Sequence, residues 1–190
     1  METIMKKRDE DILSSTFVDL QSDSGFKAAF ADPENERVLV SLLNLILPES
    51  WKIAKIDAYS DREIGGFTPY SKSARLDLSC KTESGTRFIV EMQQKVDDVF
   101  FDRCIWYAST LYGSDMMPGD EYSKLRPVFI ISFLSGKYPH KDESLWKDND
   151  VISCYQMTEM RTGEVARETI MLIFVELGRF RKTNLGQMSE

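Results

Sequence analysis

The sequence predicts an α/β fold, a mixed central sheet with helices covering its faces, and three segments carry that prediction. Leu39, Leu42, Leu43 and Ile46 recur at helical spacing behind an Asp32-Pro33 start. Residues 74–93 alternate apolar and polar in two short runs, as paired strands do. Residues 127–134 (PVFIISFL) are β-branched and aromatic almost throughout, the pattern of a strand buried on both sides.

In chain order, residues 1–22 are polar with weak periodicity and read as a mobile arm running to a short helix over 24–30. In the next helix Asp32 is the N-cap and Pro33 takes the first helical position, until Pro48 ends the run. Residues 51–60, with Ile53, Ile56 and Ala58, suit a strand, and Gly65-Gly66 with Pro69 a loop.

In the 74–93 unit Leu76, Leu78 and Cys80 alternate with Arg75, Asp77 and Ser79, then Phe88, Val90 and Met92 with Arg87, Ile89, Glu91 and Gln93. Glu83-Ser84-Gly85 suits a three-residue hairpin loop with Gly85 in the left-handed conformation. If Thr82 then faces Thr86, Asp77 falls opposite Glu91, and the two carboxylates share one face.

Asp97 is a candidate cap for a helix over 98–112, with Phe100, Cys104, Tyr107, Ala108 and Leu111 on one side, stopped by Gly113; Arg103 lies off that stripe. After the buried strand, residues 135–150 read as a polar surface insertion that carries the single histidine, His140, as an exposed residue. Residues 151–157 and 170–177 suit two further strands joined by a turn near Thr162-Gly163, and 182–190 a polar tail.

Composition sets bounds on function. With 42% hydrophobic and 29% charged residues and ordinary Gly and Pro content, the chain is neither collagen-like nor low-complexity. Three widely spaced cysteines, Cys80, Cys104 and Cys154, read as core residues rather than as a disulfide frame or a zinc site. The longest apolar run, residues 170–175, is far short of the roughly 20 residues a membrane helix needs. With no apolar stretch near the amino terminus to act as a secretory signal, a cytoplasmic protein is expected. The net charge of −7 argues against indiscriminate binding of a polyanion by the whole surface. Residues 71–95 reverse that balance, with Lys72, Arg75, Lys81, Arg87 and Lys95 against Asp77, Glu83 and Glu91.

Like charges facing each other across a strand pair are destabilising unless solvent or a cation lies between them. Opposed Cβ atoms are about 5 Å apart, so both carboxylates can reach one hard divalent ion such as Mg²⁺ or Mn²⁺. Gln93, two residues beyond Glu91, shares its face and can hydrogen-bond a coordinated water. A cation held this way polarises a scissile phosphate and eases attack by water. Lys72 and Arg75, ahead of Asp77, and Arg103 on the following helix are the candidate phosphate contacts.

Asp77, a gap of thirteen residues, Glu91-Met92-Gln93, then Phe101, Arg103 and Tyr107 resemble the PD-(D/E)xK nuclease family transposases, the recombination-promoting nuclease group. The segments SDSGFKAAFADPENERVLVSLLNLIL, KSARLDLSCKTESGTRFIVEMQQ, GDEYSKLRPVFIISFL and FVELGRF resemble successive blocks of that family, over about residues 23–181. The resemblance implies a restriction-endonuclease-like core over 23–181, metal-dependent cleavage of DNA, and Asp77, Glu91 and Gln93 as active-site residues. Related nucleases of the wider superfamily carry Lys where this chain has Gln93, while the family itself accepts Gln. The family commonly continues into a further helical region, so a short member or a fragment is expected here.

Glu34 and Glu36 are further candidate ligands, and Lys27, after Gly25-Phe26, reads as a surface lysine, with reach to the site from the short helix as the other reading. The rivals to an active endonuclease are a catalytically weak member and a DNA-binding or protein-interaction module on the same fold, with the acidic pair empty or holding a structural ion. A homodimer is compatible with either, since cutting both strands of a duplex is easier with two related sites.

Overall fold

The computed structural model describes residues 19–60, 63–64 and 74–180. Residues 1–18 of the expected arm, the Gly65-Gly66 and Pro69 loop, Lys72 and the 182–190 tail lie outside the described residues. Among those described, three helices, α1 (Asp23–Phe30), α2 (Glu36–Ile46) and α3 (Phe100–Gly113), accompany eight strands. These are β1 (Ala58–Ser60), β2 (Glu63–Ile64), β3 (Ala74–Arg75), β4 (Leu78–Lys81), β5 (Arg87–Gln93), β6 (Val128–Leu134), β7 (Ile152–Gln156) and β8 (Ile170–Glu176).

Six strands form one mixed sheet in the order β1-β4-β5-β6-β8-β7, and β2 pairs with β3 separately. The β5/β6 and β6/β8 pairs are parallel and the outer pairs antiparallel. Parallel neighbours need a crossover, and α3 supplies the one between β5 and β6. The mixed sheet flanked by helices is the fold class the sequence predicts.

Every residue of β6 is buried, because both faces of the sheet are covered. On one face Phe26, Phe30, Leu39 and Leu43 of α1 and α2 join Phe88, Val90, Phe129, Ile131 and Ile173. On the other, Phe100, Cys104, Ala108 and Leu111 of α3 lie over Ile89, Val128, Ile130, Leu134 and Phe174.

Local signals place most of these elements. Asp32 accepts the Glu34 N–H but caps a 3-10 turn over Pro33–Asn35 rather than α2 itself, which starts at Glu36. The β4–β5 hairpin has the expected register, Leu78 opposite Val90 and Cys80 opposite Phe88, with Gly85 at φ +86°. Thr82 N–H donates to Thr86 O at 3.0 Å and closes the loop.

Several expectations are corrected. The strand foreseen over 51–60 begins only at Ala58, because side chains of α2 take the earlier backbone groups. Asn44 bonds both the Ile53 N–H (2.9 Å) and carbonyl (2.8 Å), and Glu36 Oε1 accepts the Ile56 N–H at 3.1 Å. Asp97 does not cap α3 with its side chain; its backbone carbonyl receives the Phe100 N–H while its carboxylate lies 3.6 Å from Arg103. Leu76 does not share a face with Leu78 and Cys80. The chain bends at Asp77, so Leu76 packs beneath α3 while Leu78 and Cys80 face α1 and α2.

Cys80 and Cys104 are core residues, but Cys154 is exposed, since it sits on the edge strand β7 beyond the reach of the helices. His140 is not exposed. Its side chain retains 6% accessibility, with Nε2 2.7 Å from Glu176 Oε1, Nδ1 3.2 Å from the Tyr155 hydroxyl, and its ring stacked on Trp146. Glu176 in turn accepts from Arg179 Nε at 2.6 Å, and Arg179 donates to Glu143 at 2.7 Å. The 135–150 insertion is therefore fastened to the end of β8 by a polar chain in which His140, Glu176 and Arg179 are buried and Glu143 is exposed.

Candidate active site

The acidic pair sits where the β4–β5 ladder ends. Asp77 lies at the bend one residue before β4, just beyond the last paired residues Leu78 and Val90, and Glu91 is on β5, near enough for the charge of Asp77 to act on its carboxyl. The bend frees the Asp77 carboxylate to stand in for a backbone carbonyl, and Oδ2 accepts the Met92 N–H at 3.1 Å. Such a bond orients a carboxylate more firmly than solvent does.

Glu91 is 7% exposed, sealed on the sheet face that α3 covers. Burial pushes its carboxyl up to about 7, the charge of Asp77 pushes the same way, and Arg103 opposes both. A buried carboxylate beside a second one is stabilised most effectively by a cation that both can touch.

Gln93, farther along the same strand, is half-buried. Its Oε1 accepts from Arg103 Nη2 at 2.9 Å, and its Nε2 donates to the Lys95 carbonyl. Arg103 also lies 3.6 Å from Asp97 and over the Phe100 ring at 5.4 Å. One turn along α3, the Tyr107 phenol is pushed up by burial and then by the charge of Glu91, which places it among the same groups.

The structure thus gathers Asp77, Glu91, Gln93 and Arg103 at one end of β5. Arg75 lies in β3, where its backbone pairs with Glu63, and Lys72 is outside the described residues. Glu36 is spent on the Ile56 N–H and Glu34 is exposed on the turn ahead of α2, so neither joins the pair.

Lys27 does join it. Its Nζ is 3.3 Å from Asp77 Oδ1, with the lysine side chain 31% and the aspartate 21% exposed. The helix that carries it is well fixed: Ser22 Oγ caps it by accepting the Gly25 N–H at 3.1 Å, and Phe26 is 1% exposed. At Gly25 a Cβ would collide with the Asp19 carbonyl oxygen, so the close entry turn demands glycine. Fifty residues separate Lys27 from Asp77, and the local signal in the sequence is only that Lys27 follows the apolar anchor Phe26.

The donor set available for a metal is all oxygen, which suits Mg²⁺ or Mn²⁺ rather than a soft ion. Among the described residues no group of three or more His, Cys, Asp or Glu gathers to hold an ion. Two carboxylates, completed by water and substrate phosphate, are a usual provision for Mg²⁺. The raised Glu91 carboxyl fits the same occupant, since a divalent charge would restore its ionised form.

Compared with models of protein families, residues 20–190 match PD-(D/E)XK nuclease family transposase. No curated protein and no solved structure matches the chain.

Proposed function

The chain belongs to the PD-(D/E)XK nuclease family of transposases, and from that premise we propose that it is a Mg²⁺- or Mn²⁺-dependent DNA endonuclease whose metal ligands are Asp77 and Glu91. The observation that carries this reading is the juxtaposition of the two carboxylates, with Glu91 buried and its carboxyl raised to about 7. A buried carboxylate beside a second acid costs folding free energy when no divalent ion is bound, and such costs concentrate at functional sites.

When bound, the metal supplies Lewis-acid polarisation of the phosphate and a more acidic attacking water. The chain's own residues do the rest. Asp77, fixed by the Met92 N–H, presents an oriented oxygen, and Glu91 closes the site from the α3 side. Gln93 holds the Arg103 guanidinium beside the pair, where it can meet a phosphate oxygen of the strand being cut. Lys72 and Arg75, next to the site in sequence, are further proposed contacts to the DNA backbone.

The test is nicking of supercoiled plasmid in Mg²⁺ or Mn²⁺ by wild type and Asp77→Ala side by side. The proposal expects cleavage by the first and at least a hundredfold slower cleavage by the second, and wild-type protein inert in both metals refutes it. One observation favours the alternative of a catalytically weak DNA-binding or interaction module. Gln93 is neutral and its amide is engaged by Arg103 and the Lys95 carbonyl. That reading expects retention of DNA with no cleavage in any metal.

A further inference from the structure

We propose that Lys27, from helix α1, is a catalytic residue that supplies the positive charge at the scissile phosphate which the neutral Gln93 cannot. The assignment rests on the endonuclease reading and deepens it.

Three observations carry it. The Lys27 ammonium is 3.3 Å from Asp77 Oδ1, so it stands within reach of a phosphate drawn to a cation that Asp77 would hold. Its helix is pinned by Phe26, whose ring lies 4.9 Å from that of Phe30 and 5.9 Å from that of Phe133 on β6, so the ammonium is delivered by a rigid element. Arg103, the other cation at the pair among the described residues, is tied to Gln93 and Asp97 on the α3 side, whereas Lys27 approaches from the α1 side. The two cations therefore flank the acidic pair from opposite faces of the sheet.

In hydrolysis water adds to phosphorus and the bond from phosphorus to the leaving sugar oxygen breaks. One proton passes from the attacking water to solvent, and one is returned to the leaving oxygen. Negative charge accumulates on the non-bridging oxygens as the water adds. Lys27 stays protonated throughout and shifts from Asp77 to one of those oxygens, giving a charge-assisted hydrogen bond that strengthens in the transition state. The same contact balances the charge of Asp77 in the metal-free protein.

The experiment compares wild type, Lys27→Ala and the double variant Lys27→Ala with Gln93→Lys. Single-turnover plasmid nicking is read together with Mn²⁺ affinity, followed through the metal-induced rise in melting temperature. Loss of one such transition-state donor is worth roughly 10²–10³-fold, so nicking by Lys27→Ala should slow by that factor. Mn²⁺ affinity should hold or tighten, because a competing cation has left Asp77. Restoring the charge from position 93 should recover at least tenfold over Lys27→Ala.

Nicking by Lys27→Ala within threefold of wild type overturns the assignment. So does a slower rate matched by an equal loss of Mn²⁺ affinity, the signature of a lysine that only positions Asp77. Wild type that cuts nothing in either metal instead overturns the endonuclease reading, and this assignment with it.

Discussion

Replacing Glu91 by Gln should stabilise the metal-free protein at alkaline pH, an unusual result for a buried polar position. The carboxyl stands near 7 in the folded chain against 4.5 for an ordinary glutamate. The folded state therefore holds its proton more tightly than the unfolded state, and stability falls as pH rises from about 4.5 to 7, then levels off. At about 1.4 kcal/mol per pH unit, that span costs the folded protein roughly 3 kcal/mol at pH 8. Gln is nearly isosteric with protonated Glu and does not ionise, so the variant escapes this cost.

For a chain of this length, about 3 kcal/mol is roughly 6–12 °C in melting temperature. Thermal unfolding followed by circular dichroism in EDTA, between pH 5 and 8, measures it. The gap should be widest at pH 8 and shrink to about 1 kcal/mol or less at pH 5. Millimolar Mn²⁺ should raise the melting temperature of the wild type and leave the Gln variant where it was, since an ion bound only by the folded state stabilises it. A Gln variant less stable than wild type at pH 8, or a gap that does not change with pH, would refute the argument that Glu91 is an unneutralised buried acid.

Two further outcomes follow from the fold. Gly85→Ala should cost about 1–2 kcal/mol by urea unfolding, because the residue sits at φ +86° and a new Cβ would lie 3.0 Å from Arg126 Cγ; an unchanged midpoint would show that the hairpin loop relaxes freely. Arg179→Ala leaves the fully buried Glu176 without its 2.6 Å partner and should cost about 3–5 kcal/mol, whereas a loss under about 1 kcal/mol would mean that His140 and the Tyr138 N–H suffice to satisfy that carboxyl.

Short-range pattern made the hairpin legible. A three-residue loop closed by Gly85 leaves little freedom in register, so the pairing of Thr82 with Thr86 already implied the observed pairing of Cys80 with Phe88 and Leu78 with Val90. The apolar continuity of β6 likewise reported a strand covered on both faces before either cover was known. The pattern failed where distant side chains replaced local backbone partners: Asn44 and Glu36 hold residues 53 and 56 out of the sheet, so β1 starts late. His140 was hidden for the same reason, because its burial depends on Glu176 and Trp146 rather than on its polar neighbours in the chain.

By itself, then, the sequence determined the main helices, the β4–β5 hairpin and the buried strand β6, since hydrophobic period and loop chemistry act over a few residues. Only the tertiary structure decided the electrical character of the site. Whether α3 dries Glu91, whether α1 brings Lys27 to Asp77, and whether Arg103 turns to Gln93 depend on packing between elements tens of residues apart. Desolvation and Coulomb interaction depend on distance and cover in space, which no spacing along the chain reports.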